Sequence, residues 1–117
     1  MKKLTLLAIL IATTTIYAQE DIVQNSIKGM LSFNQGQVTS LAETFTEEQL
    51  DWRPSDGVRS TGESILHVAG ANYYLASKLG FPPPADVDMM NIEKIKGKDN
   101  ILATLTDSIW ILLNCTD

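Results

Sequence analysis

Cysteine, histidine and basic residues are scarce in this sequence of 117 residues. Cys115 is its only cysteine and His67 its only histidine, and nine lysines and arginines stand against 14 aspartates and glutamates. Because a lone cysteine cannot form an internal disulfide, the fold must be stabilised by its apolar core. The net charge of −5 and the lack of a basic cluster exclude a nucleic-acid interface, which needs concentrated positive charge.

The N-terminal residues have the pattern of a secretory signal peptide. Lys2 and Lys3 precede the apolar run of residues 4–12 and a polar stretch that ends at the small residue Ala18, as signal peptides do. An uncleaved membrane anchor is the alternative, but it needs about 18 apolar residues in a row, and threonines at 13–15 interrupt the run. We therefore expect residues 1–18 to be a signal peptide, cleaved before Gln19, and the product to be exported, periplasmic or secreted, with no membrane segment left.

Residues 19–117 are predicted to form one all-α domain. Without the signal peptide this domain keeps 9 − 2 = 7 basic residues against 14 acidic ones, a net charge of −7. A first helix is predicted over residues 21–44, where apolar residues recur at helical spacing. These residues, expected to share one face, are Val23, Ile27, Met30, Leu31, Val38 and Leu41.

Two further long helices are predicted after the first. The second follows the capping-box sequence from Ser60 to Glu63 and ends at Gly80, before a run of three prolines. The third begins at Asp99, after a loop with a short turn near Asn91. Antiparallel helices joined by loops make an up-down bundle.

Polar residues inside the apolar stripes are candidates for a functional site or for the core. Asn34 and Asn72 fall within the stripes of the first and second helices. They could line a site, but buried amides must find partners, so we expect both to hydrogen-bond across the helix interface. His67 lies roughly opposite Ile65 on the helical wheel, beside Tyr74.

Two stretches of sequence resemble the DinB superfamily of metal-dependent four-helix bundles. Residues 41–54 are LAETFTEEQLDWRP and residues 60–75 are STGESILHVAGANYYL. The first is similar to the family's segment after helix one, and the second to its serine-capped second helix with a Ser-x-x-Glu-x-x-x-His pattern. Together with the opening of the third helix, the resemblance spans most of residues 37–113.

The resemblance implies a role for His67 as the first of three ligands to a divalent metal, nickel or zinc. In the family, the other two ligands form a His-x-x-x-His pair on a fourth helix. This sequence contains no second histidine, so we expect three of the four helices and an incomplete ligand set. Two interpretations remain open: a metal-dependent hydrolase or transferase by ancestry, and a non-catalytic helical binding or structural module.

Further candidates have simpler explanations. Trp52 and Arg53 are expected to be a packing anchor with a cation–π or capping role. Asp86 and Asp88 suggest a cation, but nothing else in the sequence supports one, and Cys115 is expected to be a partly buried, inert thiol. Because a bundle without its fourth helix leaves apolar surface uncovered, we expect the domain either to form a homodimer through that surface or to be marginally stable.

Overall fold

The computed structural model describes the backbone of residues 2–115 and the side chains of residues 22–115. Over this range the chain is helical and contains no strand, which confirms the predicted all-α class. The α-helices are α1, Lys2–Thr44; α2, Glu47–Asp51; α3, Thr61–Lys78; and α4, Lys98–Asn114. A 3-10 turn, Ile92–Lys94, lies between α3 and α4, close to the turn predicted near Asn91.

The first helix begins earlier than predicted. Its helical backbone runs without a break from Lys2 to Thr44, whereas the periodicity indicated a start at Asp21. No glycine or proline occurs before Gly29, so nothing in the local sequence ends the helix. The side chains of the predicted signal peptide, residues 1–18, lie outside the described residues. Within the described range, no helix has both the length and the apolar content that a membrane crossing requires.

The long helices do not all alternate in direction. The Lys98 Nζ donates to the Glu43 carbonyl at 2.8 Å, and Gln35 bonds Asn72, which bonds Ser108. Residue number therefore rises along α4 as it falls along α1, so these two helices are antiparallel. Gly62 and Asn72 of α3 meet Ile101 and Ser108 of α4 in the same order.

The prediction of an up-down order is thus wrong for one pair, because α3 and α4 are parallel. The connection over residues 79–97 returns the chain from the end of α3 to the level of its start. The 3-10 turn is part of this connection and packs along α3.

The start of α3 is fixed by two local features. The Ser60 hydroxyl accepts from the Glu63 backbone N–H, and Glu63 accepts from the Ser60 N–H, which confirms the predicted capping box. Glycine at position 62 permits a close approach, since a Cβ there would lie 3.0 Å from Ile101 Cδ1 and 3.1 Å from the Leu50 carbonyl oxygen, tighter than ordinary contacts. Through this close approach, the start of α3 packs against both α2 and α4.

The apolar core lies mainly between α3 and α4. The predicted stripes of these helices supply most of it, and Ala42 and Leu50 add to it from α1 and α2. The buried core cluster comprises Ala42, Leu50, Ile65, Leu66, Ala69, Tyr73, Ile92, Ile101 and Leu105. Because α3 contacts α2, α4 and the 3-10 turn, it packs against neighbours on more than one side.

A buried chain of polar side chains connects the three long helices. The Gln35 amide donates to Asn72 Oδ1 at 2.9 Å, and the Asn72 amide donates to Ser108 Oγ at 3.1 Å. The prediction for Asn72 is therefore confirmed. The prediction for Asn34 is wrong, since its side chain is exposed. Gln35, one residue and about 100° further round the helix, takes the expected place.

The apolar stripe predicted for α1 is mostly exposed. Val23, Ile27, Met30 and Leu41 expose 49–67% of their surface. Only Leu31 and Val38 of the predicted set are half-buried. The spacing placed these residues correctly on a helix, but α1 turns a neighbouring face toward the core.

Candidate functional site

His67 is exposed near the start of α3. Its side chain is 58% exposed, while Leu66 and Ala69 beside it are fully buried. Tyr74, which shares its side of the helix, is also exposed. The predicted position of His67, away from the buried stripe, is thus confirmed.

Glu93 holds the imidazole of His67 by one nitrogen. Its Oε1 lies 2.8 Å from His67 Nδ1, and its Oε2 lies 2.7 Å from the Nε of Arg59. One carboxylate therefore connects the loop before α3, the side chain on α3 and the 3-10 turn. The Glu93 side chain is two-thirds buried. The side chains of Arg59, Glu93 and His67 therefore form one hydrogen-bonded group at the edge of the core.

The protonation states of these groups follow from their contacts. The hydrogen bond from Arg59 is the largest influence on Glu93, and with the bond from His67 it outweighs burial and lowers the pKa of the carboxyl. An ionised carboxylate only accepts hydrogen bonds. His67 Nδ1 therefore carries a hydrogen and donates a hydrogen bond to Glu93. In the neutral imidazole, the lone pair is then on Nε2.

Packing of the 3-10 turn determines where Glu93 lies. Ile92 is buried and approaches α3 at Gly70, where a Cβ would lie 3.4 Å from Ile92 Cγ2. Asp88 stabilises the preceding turn by accepting from the Met90 N–H at 3.0 Å and the Asn91 amide at 2.6 Å. Ile92 thus anchors the turn, and Glu93 next to it reaches His67.

Arg53 of the family-like Trp-Arg-Pro segment supports the start of α3. It donates to the Val58 carbonyl at 2.7 Å and to Glu63 Oε1 at 2.6 Å. Glu63 is the third helical residue of the capping box whose N-cap is Ser60, so Arg53 supports the cap of α3 indirectly, through the Glu63 side chain. Trp52 is 63% exposed, and its predicted role as a packing anchor is wrong.

The described residues supply one metal ligand of the expected kind. No group of three or more histidine, cysteine or carboxylate side chains within the described range could hold an ion. Asp86, Asp88 and Asp107 all border a cleft of about 450 Å³, but Asp88 is engaged in its own turn. The described donor set therefore does not fit a complete metal centre.

Cys115 at the end of α4 has the features of an inert thiol. It is half-buried, its Sγ donates to the Ile111 carbonyl at 2.9 Å, and burial raises the pKa of the thiol. A raised pKa keeps the group protonated, and the protonated thiol is a poor nucleophile and metal ligand. The structure does not bring Cys115 into hydrogen-bonding contact with His67.

Sequence reasoning found His67 but missed its two neighbours. Arg59 lies eight positions before His67, ahead of the first residue of α3, and Glu93 lies 26 positions after it, beyond the end of α3, so the helical repeat of α3 relates neither residue to His67. Glu93 is brought to His67 by the packing of a short turn in a connection with no regular periodicity. The only local signal was Ile92 beside it, one of several apolar residues in the connection, with Val87, Met89, Met90 and Ile95.

Comparison with known proteins places the chain in a family. The family model of the DinB superfamily matches residues 30–110, more than half of the chain. No curated protein and no solved structure gives a significant match. The matched range contains His67, Glu93, the buried polar chain of Gln35, Asn72 and Ser108, and the core cluster. The chain therefore belongs to the DinB superfamily.

Proposed function

We propose that this protein is an exported DinB-superfamily domain in which His67 keeps the position and orientation of the first ligand of a metal-dependent hydrolase centre. In this proposal the described residues form three helices of the family's four-helix bundle. They provide one ligand, and tight binding of nickel or zinc needs further ligands from outside the described residues.

The contact between His67 and Glu93 carries this proposal. Metal-binding histidines usually donate their second ring N–H to a carboxylate or carbonyl, which fixes the tautomer and makes the ligating nitrogen more basic. The 2.8 Å contact at Nδ1 has this form, and an imidazole held this way presents Nε2 to a ligand. The carboxylate is itself partly buried and is held in turn by Arg59, which favours an oriented imidazole over one that only fills surface space.

The donor set limits what this site does alone. Structural and catalytic zinc sites use three or four protein ligands, and one imidazole binds a divalent ion weakly. A bound metal in such a site activates water for hydrolysis. The residues described here orient one imidazole and fix its proton on Nδ1, and no reaction step follows from them alone.

Titration with Ni²⁺ and Zn²⁺ tests the proposal. Because His67 is the only histidine, its ring ¹⁵N signals report one site without overlap. We expect a neutral tautomer protonated at Nδ1, weak binding of the ions at Nε2, and loss of that binding in His67→Ala. Glu93→Gln should shift the tautomer balance and weaken binding, while Asp86→Asn, at an exposed position on the same connection, should leave the ring signals unchanged.

Two results would contradict the proposal. Ring signals that do not respond to either ion would remove His67 as a ligand. Stoichiometric submicromolar binding abolished by His67→Ala would show that the described residues contain further ligands, with Cys115, Asp86 and Asp88 the first to substitute.

Export is a separate part of the proposal and rests on the signal-peptide pattern of residues 1–18. We expect the exported protein to begin at Gln19, which mass spectrometry of the secreted or periplasmic fraction would measure. Membrane-associated protein that retains Met1 would contradict cleavage.

A non-catalytic binding module is the second candidate. The exposed apolar residues of α1 favour it, because a contiguous apolar patch on a soluble domain commonly marks an interaction surface. On this interpretation the His67–Glu93–Arg59 contacts stabilise the connection between α3 and α4. Unchanged folding stability in Glu93→Gln, with altered metal binding, would favour the first candidate over this one.

A further inference from the structure

A cleft lies between the connection of residues 79–97 and the paired helices α3 and α4. Its volume is about 450 Å³, and Tyr73, Asp86 and Asp107 are among the residues that line it. An adjoining cleft of about 260 Å³ shares these three residues and adds Trp110. We call the two together the tyrosine cleft. Small-molecule sites commonly have volumes of roughly 300–1,000 Å³, so the tyrosine cleft is large enough for one small ligand.

The tyrosine cleft is on the flank of α3 and α4 that faces away from α1. Asn72 of α3 bonds Ser108 of α4 on the side where Gln35 of α1 packs. Tyr73 follows Asn72 by one residue, and Asp107 precedes Ser108 by one. Because α3 and α4 are parallel, these two steps of about 100° rotate in opposite senses and bring both side chains to the same outer flank. The connection packs along this flank, so the described residues themselves supply every wall of the cleft.

The hydroxyl of Tyr73 is an unpaired polar group in this cleft. The residue is only 1% exposed, and its hydroxyl forms no hydrogen bond within the described part of the chain. Every fully buried side-chain nitrogen or oxygen of the described residues has a partner, so the Tyr73 oxygen must be the atom that reaches the cleft. Buried tyrosine hydroxyls usually have a hydrogen-bond partner. The cleft therefore offers a hydrogen-bonding group that a ligand can satisfy.

Two carboxylates beside this hydroxyl also lack partners. Neither Asp86 nor Asp107 forms an ion pair or a hydrogen bond with another described residue. Burial raises the pKa of Tyr73, and the negative charges of Asp107 and Asp86 raise it further, so both carboxylates lie close to the phenol. The hydroxyl stays protonated, and its oxygen can accept a hydrogen bond from a cation held by the two carboxylates.

The other charges that line the cleft offset one another. The Asn91 amide nitrogen donates to Asp88 Oδ2 at 2.6 Å, and the Asn91 amide oxygen accepts from Lys94 Nζ at 2.7 Å. Asp88 and Lys94 both line the cleft and are joined through this one amide. Among the described lining residues, the negative charge left without a counter-ion is that of Asp86 and Asp107. Such a cleft attracts a cation.

The spread of the carboxylates favours an organic cation over a metal ion. Asp86, Asp88 and Asp107 all line the cleft, yet no three carboxylate, histidine or cysteine side chains of the described range could hold one ion together. A calcium ion takes six to eight oxygen ligands, so the cleft supplies too few. Val87 and the 66% exposed ring of Trp110 adjoin the carboxylates. Apolar surface suits the carbon body of an organic cation, and an indole ring attracts its charge.

We propose that the tyrosine cleft binds a small primary amine with an apolar body. The ammonium group lies between Asp86 and Asp107 and donates a hydrogen bond to the Tyr73 hydroxyl oxygen. The apolar body packs on Trp110, which follows Asp107 by three residues and is therefore its neighbour on the surface of α4. The proposal shares no ligand with the metal site at His67, so it stands or falls separately from it.

Titration of the exported protein with 2-phenylethylamine, followed by the fluorescence of Trp110, is the primary test. Trp52→Phe leaves Trp110 as the only tryptophan, and Trp52 is 63% exposed, so this background should fold normally. We expect a saturable fluorescence change with the amine. Binding of 2-phenylethanol, which has the same apolar body without the charge, should be at least about tenfold weaker, because hydrogen bonds to charged groups are the stronger ones.

Matched variants assign the binding to the cleft. Tyr73→Phe should weaken amine binding about tenfold, because it removes a hydrogen bond to a charged group. It should not lower the stability of the free protein, since this hydroxyl has no partner among the described residues. Tyr74→Phe removes the same group from the exposed neighbouring position and should change neither quantity. Asp107→Asn should weaken binding at least about threefold, whereas Asp56→Asn, which removes a carboxylate outside the cleft, should leave it unchanged.

Four results would overturn the proposal. The first is a fluorescence signal that does not saturate with the amine. Equal binding of the amine and the alcohol would show that the cleft recognises the apolar body alone. Tighter binding of Ca²⁺ than of the amine, lost in Asp107→Asn, would assign the carboxylates to a metal ion. Unchanged amine affinity in both Tyr73→Phe and Asp107→Asn would place the bound amine elsewhere on the protein.

Discussion

The helices α1 and α3 bury their residues to very different extents. Seven positions of α3 are buried, and the helix contacts α2, α4 and the 3-10 turn. Among the described side chains of α1, only Gln35 and Ala42 are buried. Both helices have clear apolar periodicity, so the difference lies in how many neighbours each one has. Periodicity identifies residues that share a face, but whether that face is covered depends on the surrounding helices.

The largest expected effect comes from truncating one leucine in each helix. Leu66 of α3 is fully buried, whereas Leu41 of α1 is 58% exposed. Leu66→Ala should lower the free energy of unfolding by about 2–5 kcal/mol, because it leaves a cavity in the core. Leu41→Ala should change it by less than about 0.5 kcal/mol. Urea denaturation at low protein concentration, where association is negligible, measures both values, and equal losses would contradict the contrast between the helices.

A smaller loss of stability is expected from variants at the contact between α1 and α3. Asn72→Ala removes the amide between Gln35 and Ser108 and should cost about 1–3 kcal/mol, because it leaves a buried amide without a partner. Asn34→Ala deletes the same group from an exposed position and should cost less than about 0.5 kcal/mol. Denaturation of the two variants compares them directly. A larger loss for Asn34→Ala would mean that α1 packs through the face that carries Asn34.

The smallest effect concerns the pH dependence of the free energy of unfolding that Glu63, at the start of α3, contributes. The backbone hydrogen bond from Ser60, and then the bond from Arg53, lower the pKa of Glu63 below its ordinary value of 4.5. The stabilisation from this carboxylate is therefore present above pH 4.5 and is lost as the pH falls through the lower folded-state pKa. Glu63→Gln should make unfolding less dependent on pH in this acidic range, with little change in slope at neutral pH.

A matched variant separates the two contacts of Glu63. Arg53→Gln keeps the backbone bond from Ser60 to Glu63 and removes the ion pair, together with the Arg53 bond to the Val58 carbonyl. It should retain part of the acid dependence that Glu63→Gln loses, as acid titration of stability would show. Identical profiles of stability against pH for the two variants would assign the whole lowering of the Glu63 pKa to Arg53.

The candidate site was only partly predictable. His67 was found because its Ser-x-x-Glu-x-x-x-His context is local, and its exposure followed from the helical repeat. Glu93 and Arg59 were not found, because their contacts form only when the connection between α3 and α4 folds back along α3. Likewise, Asn72 was correctly expected to bond across the interface, but its partner is Gln35 rather than Asn34. A shift of one residue on α1 decides which of the two amides is buried.

The sequence by itself determined the all-α class, the capping box at Ser60, the end of α3 and the helical face that each apolar residue shares. These features depend on residues within a few positions of one another, so local stereochemistry and periodicity are enough to predict them. Only the tertiary structure decided that α3 and α4 are parallel, that α1 packs through Gln35 and Ala42, and that Glu93 holds His67. Those outcomes depend on how residues far apart in sequence meet, and several packings of the same helices satisfy the same local rules.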